Sequence, residues 1–163
     1  MRAVQDDRFG GLEVQLAVER GATVLGIVGP ANHASLKDHG AIPVDYAGGM
    51  AATADRIRAI TPAGIDAFVD TFGHGYVDLA IGLGVPAARI DTIVDFGAAG
   101  QHGARTAGNA QAANTSDLAE VVTRLANGRL DLPIAATYPL DQVRAADAEL
   151  ERRHTCGKIV LIP

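Results

Sequence analysis

The stretch that decides the fold reads Gly10-Gly11-Leu12-Glu13-Val14-Gln15-Leu16-Ala17-Val18-Glu19-Arg20-Gly21-Ala22-Thr23-Val24-Leu25-Gly26-Ile27-Val28. Leu12, Leu16 and Ala17 recur at helical spacing, so residues 12–20 predict an amphipathic helix with that stripe facing a core. Gly21 follows Arg20 where a C-terminal cap belongs. Residues 22–28 are then almost wholly apolar, the pattern of a strand covered on both faces. Helix, glycine stop and doubly covered strand make one step of a parallel β-α sheet.

The same punctuation repeats outward. Residues 32–39 predict a short helix stopped by Gly40, and residues 42–44 a strand limited by Pro43. Residues 50–60 predict a helix burying Met50, Ala54, Ile57 and Ile60. Strands follow at 67–71 and 89–96, with a helix at 76–83 between them. Residues 97–114 are rich in glycine and alanine and read as loop, apart from a short strand at 104–107. Residues 116–127 predict a helix with Leu118, Val121, Val122 and Leu125 inward, closed by Gly128. A strand at 130–136, a helix at 140–153 and a strand at 159–162 complete the chain, and residues 1–4 read as a truncated first strand. The fold class is therefore α/β, a doubly wound parallel sheet, Rossmann-like, in one domain over residues 1–163. Such sheets take ligands outside the carboxyl ends of their strands, which directs attention to the loops after Val4, Val28, Thr71 and Phe96.

Composition narrows the function classes. At 163 residues, 48% hydrophobic and 20% charged, the chain suits a single globular domain. A net charge of −5 offers no basic field for nucleic acid or anionic lipid. No apolar run approaches the ~20 residues of a membrane span. Acidic residues in Met1-Arg2-Ala3-Val4-Gln5-Asp6-Asp7 stand where a signal peptide needs its apolar core. Cys156 is a lone cysteine, so the expected compartment is the cytoplasm. His33, His39, His74, His102 and His154 show no paired ligand spacing, and no metal is expected. No Gly-x-Ser-x-Gly elbow is present. His74, between two glycines, reads as a solvated turn residue. Asp66, Asp70, Asp91 and Asp95 flank strand ends, where carboxylates cap turns and helices, and they are not assigned as an acid–base pair.

The long-range order is more specific than any one motif. Val14-Gln15-Leu16-Ala17, Arg20-Gly21-Ala22-Thr23-Val24-Leu25-Gly26, Asp45-Tyr46, Asp70-Thr71-Phe72-Gly73 and Gly157-Lys158-Ile159-Val160-Leu161 follow in sequence. This order resembles the cofactor-binding half of the medium-chain dehydrogenase/reductase superfamily, specifically its zinc-independent quinone oxidoreductase-like branch, over essentially the whole chain. The resemblance implies that residues 128–163 are the unit that borders a catalytic domain, a domain that precedes this region in the family and is missing here. It implies NADP(H) as cofactor, with Gly10 and Gly11 at the phosphate turn. It places His33, Tyr46 and Arg153 around the adenosine 2′-phosphate, and Thr71, Phe72, Gly73, Phe96 and Gly97 on the nicotinamide side. No catalytic base is implied. Read from the residues alone, His33 is an exposed polar residue on a short helix, Tyr46 a packing aromatic, and Arg153 a solvated charge beside Arg152.

One loop departs from the family. The glycine turn is expected to resemble Gly-Gly-Val-Gly, whereas this chain reads Asp7-Arg8-Phe9-Gly10, and only Gly10 matches. A carboxylate ~5 Å from a phosphate, at an effective dielectric of ~20, costs roughly 3 kcal/mol; Arg8 offsets part of this by reaching the phosphate. The second strand ends Ile27-Val28-Gly29-Pro30 without a carboxylate to grip a ribose 2′-hydroxyl, which favours NADP over NAD. The implied activity is hydride transfer from NADPH to an activated C=C, quinone or carbonyl, incomplete in this chain alone. The alternatives are a repurposed remnant catalysing a non-redox step such as a cyclisation or isomerisation, and a non-catalytic interaction module. The stripe Leu140, Val143, Ala146 and Leu150, with a strand edge at 104–107, predicts a homodimer or a separate chain supplying the catalytic domain.

Overall fold

The computed structural model describes residues 2–6 as backbone, and residues 11–107, 114–152 and 157–163 in full. Its centre is a parallel sheet of β1 (Arg2–Asp6), β2 (Thr23–Ile27), β3 (Ile42–Val44), β4 (Ala67–Asp70) and β5 (Ile90–Thr92), ordered β3-β2-β1-β4-β5. Val4 stands opposite Leu25 on one side and Phe68 on the other, so strand order reverses across β1 and β4. The connecting helices are α1 (Leu12–Glu19), α2 (His33–Asp38), α3 (Gly49–Ile60) and α4 (Tyr76–Gly82). Asp6, read from sequence as loop, is the last residue of β1.

Local chemistry explains the boundaries. Gly21 has φ +79°, its N–H bonds Val18 O, and Ala22 N–H bonds Ala17 O, a paired closure that needs a left-handed residue at this point. Pro43 lies in β3, an edge strand of the sheet, where a missing N–H is tolerated. Along β2 the side chains alternate between two cores. Leu25 and Ile27 pack with Ile57, Phe68, Val77 and Ile90; Val24 packs with Val14, Val28 and Leu36. Gly26 sits under Leu36, whose Cδ2 stands where a Cβ would be, so a side chain here would displace the buried Leu36 side chain.

The core faces of the helices differ from the sequence expectation at several positions. In α1 the wholly buried residue is Val14, with Ala17 and Val18 packed beside it, while Leu12 and Leu16 are half-buried. In α3 the buried residues are Thr53, Ala54 and Ile57, and Met50 and Ile60 are exposed. A helix of 12 residues is about 18 Å long and outruns a strand of three, so its terminal apolar residues overhang the sheet. The expected strand 89–96 stops at Thr92, and Phe96–His102 forms a helix, α5, where loop was expected. Asp95 caps α5 by accepting from Ala98 N–H. The expected strand at 104–107 is reduced to a single parallel bridge between Asp91 and Arg105.

The last third of the chain leaves this sheet. Helix α6 (Thr115–Ala126) leads into β6 (Ile134–Pro139), α7 (Val143–Glu151) and β7 (Lys158–Ile162). Strands β6 and β7 pair in parallel as a separate two-stranded sheet. Leu118 and Val122 of α6 are exposed at 64% and 55%, against the inward placement expected, while Val121 and Leu125 are half-buried. Polar links tie this unit to α1: Gln15 donates to Asp131 O and accepts from Asp131 N–H, and Glu19 pairs with both Arg124 and Arg129. Among the described residues, no helix is long and apolar enough to cross a membrane.

Candidate functional site

A cleft of about 230 Å³ opens at the carboxyl side of the sheet, where the strand order reverses. Its floor is the start of α1 (Gly11, Leu12, Glu13), one wall is Thr71 and Ile93, and the other is Asp131, Leu132, Pro133, Gly157 and Lys158. The wall from residues 131–133 and 157–158 comes from the segments leading into β6 and β7, which Lys158 N–H joins at Pro133 O. That contribution is invisible in any local motif. It exists because the Gln15–Asp131 bonds bring a distant segment to the mouth of α1.

Two loops frame the cleft on the β4 and β5 side. Asp70 is wholly buried; its Oδ1 accepts from Phe72 N–H at 3.0 Å and Gly73 N–H at 2.7 Å, and its Oδ2 accepts from the Thr92 hydroxyl at 2.7 Å. Thr92 Oγ1 in turn accepts from Val94 N–H and Asp95 N–H at 3.3 and 3.0 Å. The turn-capping role read for Asp70 and Asp95 is what the geometry shows; Thr92 carried no sequence signal. Phe72 is 43% exposed and packs edge-on to Tyr76 at 6.0 Å, with the His74 ring 5.2 Å away on its other contact. His74 is exposed, with φ +58°.

The structure therefore brings together part of the predicted set. Gly11 and Thr71 line the cleft. Phe72 and Phe96 are exposed, Gly73 is buried, and Gly97 is exposed. Phe96 and Gly97 do not end a strand: they open α5, because Thr92 turns the chain inward first. Gly10 and Arg153, like Asp7 and Arg8 of the altered turn, lie outside the described residues.

His33 and Tyr46 stand at the β2 and β3 end and do not line the cleft. The Tyr46 hydroxyl covers Gly29, lying 3.1 Å from where a Cβ would be, so the backbone there is approached closely by a polar group. His33 Nε2 is buried without a hydrogen-bond partner among the described residues, a position at which a ring nitrogen ordinarily finds one. No carboxylate stands between Ile27 and His33. Among the described residues, no three His, Cys, Asp or Glu side chains group as metal ligands.

A parallel sheet with its ligand cleft at the point of strand reversal, floored by a helix start, defines the doubly wound α/β class of nucleotide-binding domain. The comparisons with known proteins agree. A family model described as zinc-binding dehydrogenase matches residues 40–161, and the chain belongs to that family, within the medium-chain dehydrogenase/reductase superfamily. A comparison with curated proteins finds no match. Among solved structures, the chain is similar to an NAD-dependent alcohol dehydrogenase (TM-score 0.74, 21% identity, 99% of this chain and 50% of that one). It is similar to a mycobacterial protein solved as its NADPH complex (TM-score 0.76, 21% identity, 99% and 56%). It is also similar to the quinone oxidoreductase of Coxiella burnetii (TM-score 0.74, 23% identity, 98% and 52%). The chain spans about half the length of these structures.

Proposed function

We propose that this chain is an NADPH-binding oxidoreductase unit of the quinone oxidoreductase-like kind. The observation that carries the reading is the β2 end, where no carboxylate stands between Ile27 and His33 to grip a ribose 2′-hydroxyl. A related fold solved with NADPH supports it. Gly11 and Thr71 would hold the middle of the cofactor, His33 and Tyr46 its 2′-phosphate end, and Phe72 and Ile93 its ring end. The bound cofactor would supply hydride to an activated C=C, quinone or carbonyl, and the chain's part is positioning and exclusion of water. Competitive titration of NADPH against NADH tests the assignment: NADPH is expected to bind more tightly, and tighter NADH binding overturns it.

The reading includes a protein partner. Leu118, Val122, Leu140, Val143 and Leu150 are exposed, as are Ile134 and Ile162 of the two-stranded sheet. Apolar surface on this scale marks an interface, and a symmetric homodimer is the commonest way to cover it. Light scattering across a tenfold dilution series checks this; a constant monomer mass rejects it.

A further inference from the structure

Strands β2 and β3 go on pairing one residue past the end of β2, where Val28 N–H donates to Val44 O at 2.9 Å. Gly29 and Asp45 are the next residues on each chain, and the ring of Tyr46 reaches back over Gly29. The Gly29 backbone is extended (φ −73°, ψ 161°), a conformation open to any residue, so its glycine answers to space. A Cβ there would meet the Tyr46 hydroxyl at 3.1 Å and a ring carbon at 3.4 Å. Gly29 is the seat of the tyrosine ring.

The loop that carries the ring is pinned from α3. One guanidinium nitrogen, Arg56 Nη1, donates to Asp45 O at 2.9 Å and to Ala47 O at 2.6 Å, the carbonyls of the residues on either side of Tyr46. Asp45 Oδ1 accepts from Ala47 N–H at 2.9 Å, and Tyr46 O accepts from Gly49 N–H at 3.1 Å. Gly48 and Gly49, at φ +90° and +81°, turn the chain so that α3 brings Arg56 back to the loop. Charge-assisted bonds are stronger than the neutral turn bonds they join here. We propose that Arg56 is a positioning residue for Tyr46: it fixes residues 45–47 so that the ring lies over Gly29, and thereby sets the preference for a nucleotide with a 2′-phosphate. This rests on the NADPH reading and adds to it a residue that acts without touching the ligand.

Calorimetric titration with NADPH and with NADH across a double-mutant cycle tests it. Arg56→Met keeps the apolar stem and removes both donated bonds. It is expected to raise the Kd for NADPH about tenfold and that for NADH less than about threefold. In a Tyr46→Ala chain the same substitution should change neither Kd. Arg56→Lys, whose ammonium also offers several hydrogens, should retain the NADPH preference. A merely structural Arg56 would weaken both cofactors alike, whether or not Tyr46 is present. That result, or loss of the fold in Arg56→Met, overturns this inference and leaves the cofactor reading standing where the wild-type chain prefers NADPH. So does an unchanged ratio of affinities in Tyr46→Ala, a measurement that needs no Arg56 variant. A wild-type chain that binds neither cofactor overturns both readings together.

Discussion

Helices α3 and α6 each have 12 residues and each carries an apolar stripe, yet they end in opposite environments. In α3, Thr53, Ala54 and Ile57 are buried against the five-stranded sheet. In α6 none is buried, and Leu118 and Val122 are exposed. The contrast extends to whole regions. Residues 11–107 hold the two core clusters, whereas from residue 114 onward Leu130 and Ala146 are the buried apolar side chains among those described. The first region is held by burial, which grows with the apolar area removed from water. The second is held by a two-stranded ladder, the Gln15–Asp131 bonds and the Glu19 ion pairs, interactions that are individually small.

The largest effect that would test this division is in the core. Phe68→Ala should cost about 3–5 kcal/mol in urea unfolding, because it empties a wholly buried site between β1, β5 and α4. Leu118→Ala, on the other region, should cost less than about 0.5 kcal/mol at a dilution where the chain is monomeric. A loss at Leu118 above about 1.5 kcal/mol at that dilution would break the comparison and mean that α6 is packed within the monomer.

A middle-sized effect belongs to the hinge of the second region. Gly157 has φ +119°, and a Cβ there would lie 2.5 Å from Pro133 O, so the turn into β7 tolerates no side chain. Gly157→Ala should cost roughly 1–3 kcal/mol, confined to the two-stranded sheet. Hydrogen exchange should quicken in Ile134–Pro139 and Lys158–Ile162 and stay unchanged in Thr23–Ile27. Equal quickening in both would show that the two regions unfold as one unit.

The smallest effect is a pH dependence. The Tyr138 hydroxyl donates to Glu149, and that bond, with burial and the carboxylate charge, raises the Tyr138 pKa above its ordinary 10.0. The neutral hydroxyl is the donor, so its contribution is complete below about pH 10 and is lost as pH rises through the raised folded value. Alkaline absorbance titration should show a late-ionising component that is lost in Tyr138→Phe. An unchanged curve in that variant would show that the contact between β6 and α7 does not persist in solution.

Much of the first region was legible because its signals are local. Glycines at positions 21 and 40, the doubly covered run around Leu25 and the proline in an edge strand each act over a few residues, and each stands where it was read. Gly11 and Thr71 were legible in the site for the same reason, as they close a helix start and a strand end. The inward hook of β5 was not. It depends on Thr92 meeting a buried carboxylate 22 positions earlier, and that meeting is a property of neighbouring strands.

The sequence by itself determined the alternation of strands and helices, their parallel sense and the family, since periodicity, capping and motif order are written along the chain. Only the tertiary structure decided which apolar stripes are covered, that β6 and β7 stand apart, and that residues 131–133 and 157–158 wall the cleft. The physical reason is that an amphipathic pattern states what a helix can bury, whereas burial requires a second surface, and whether one lies opposite is set by chain segments far away in sequence.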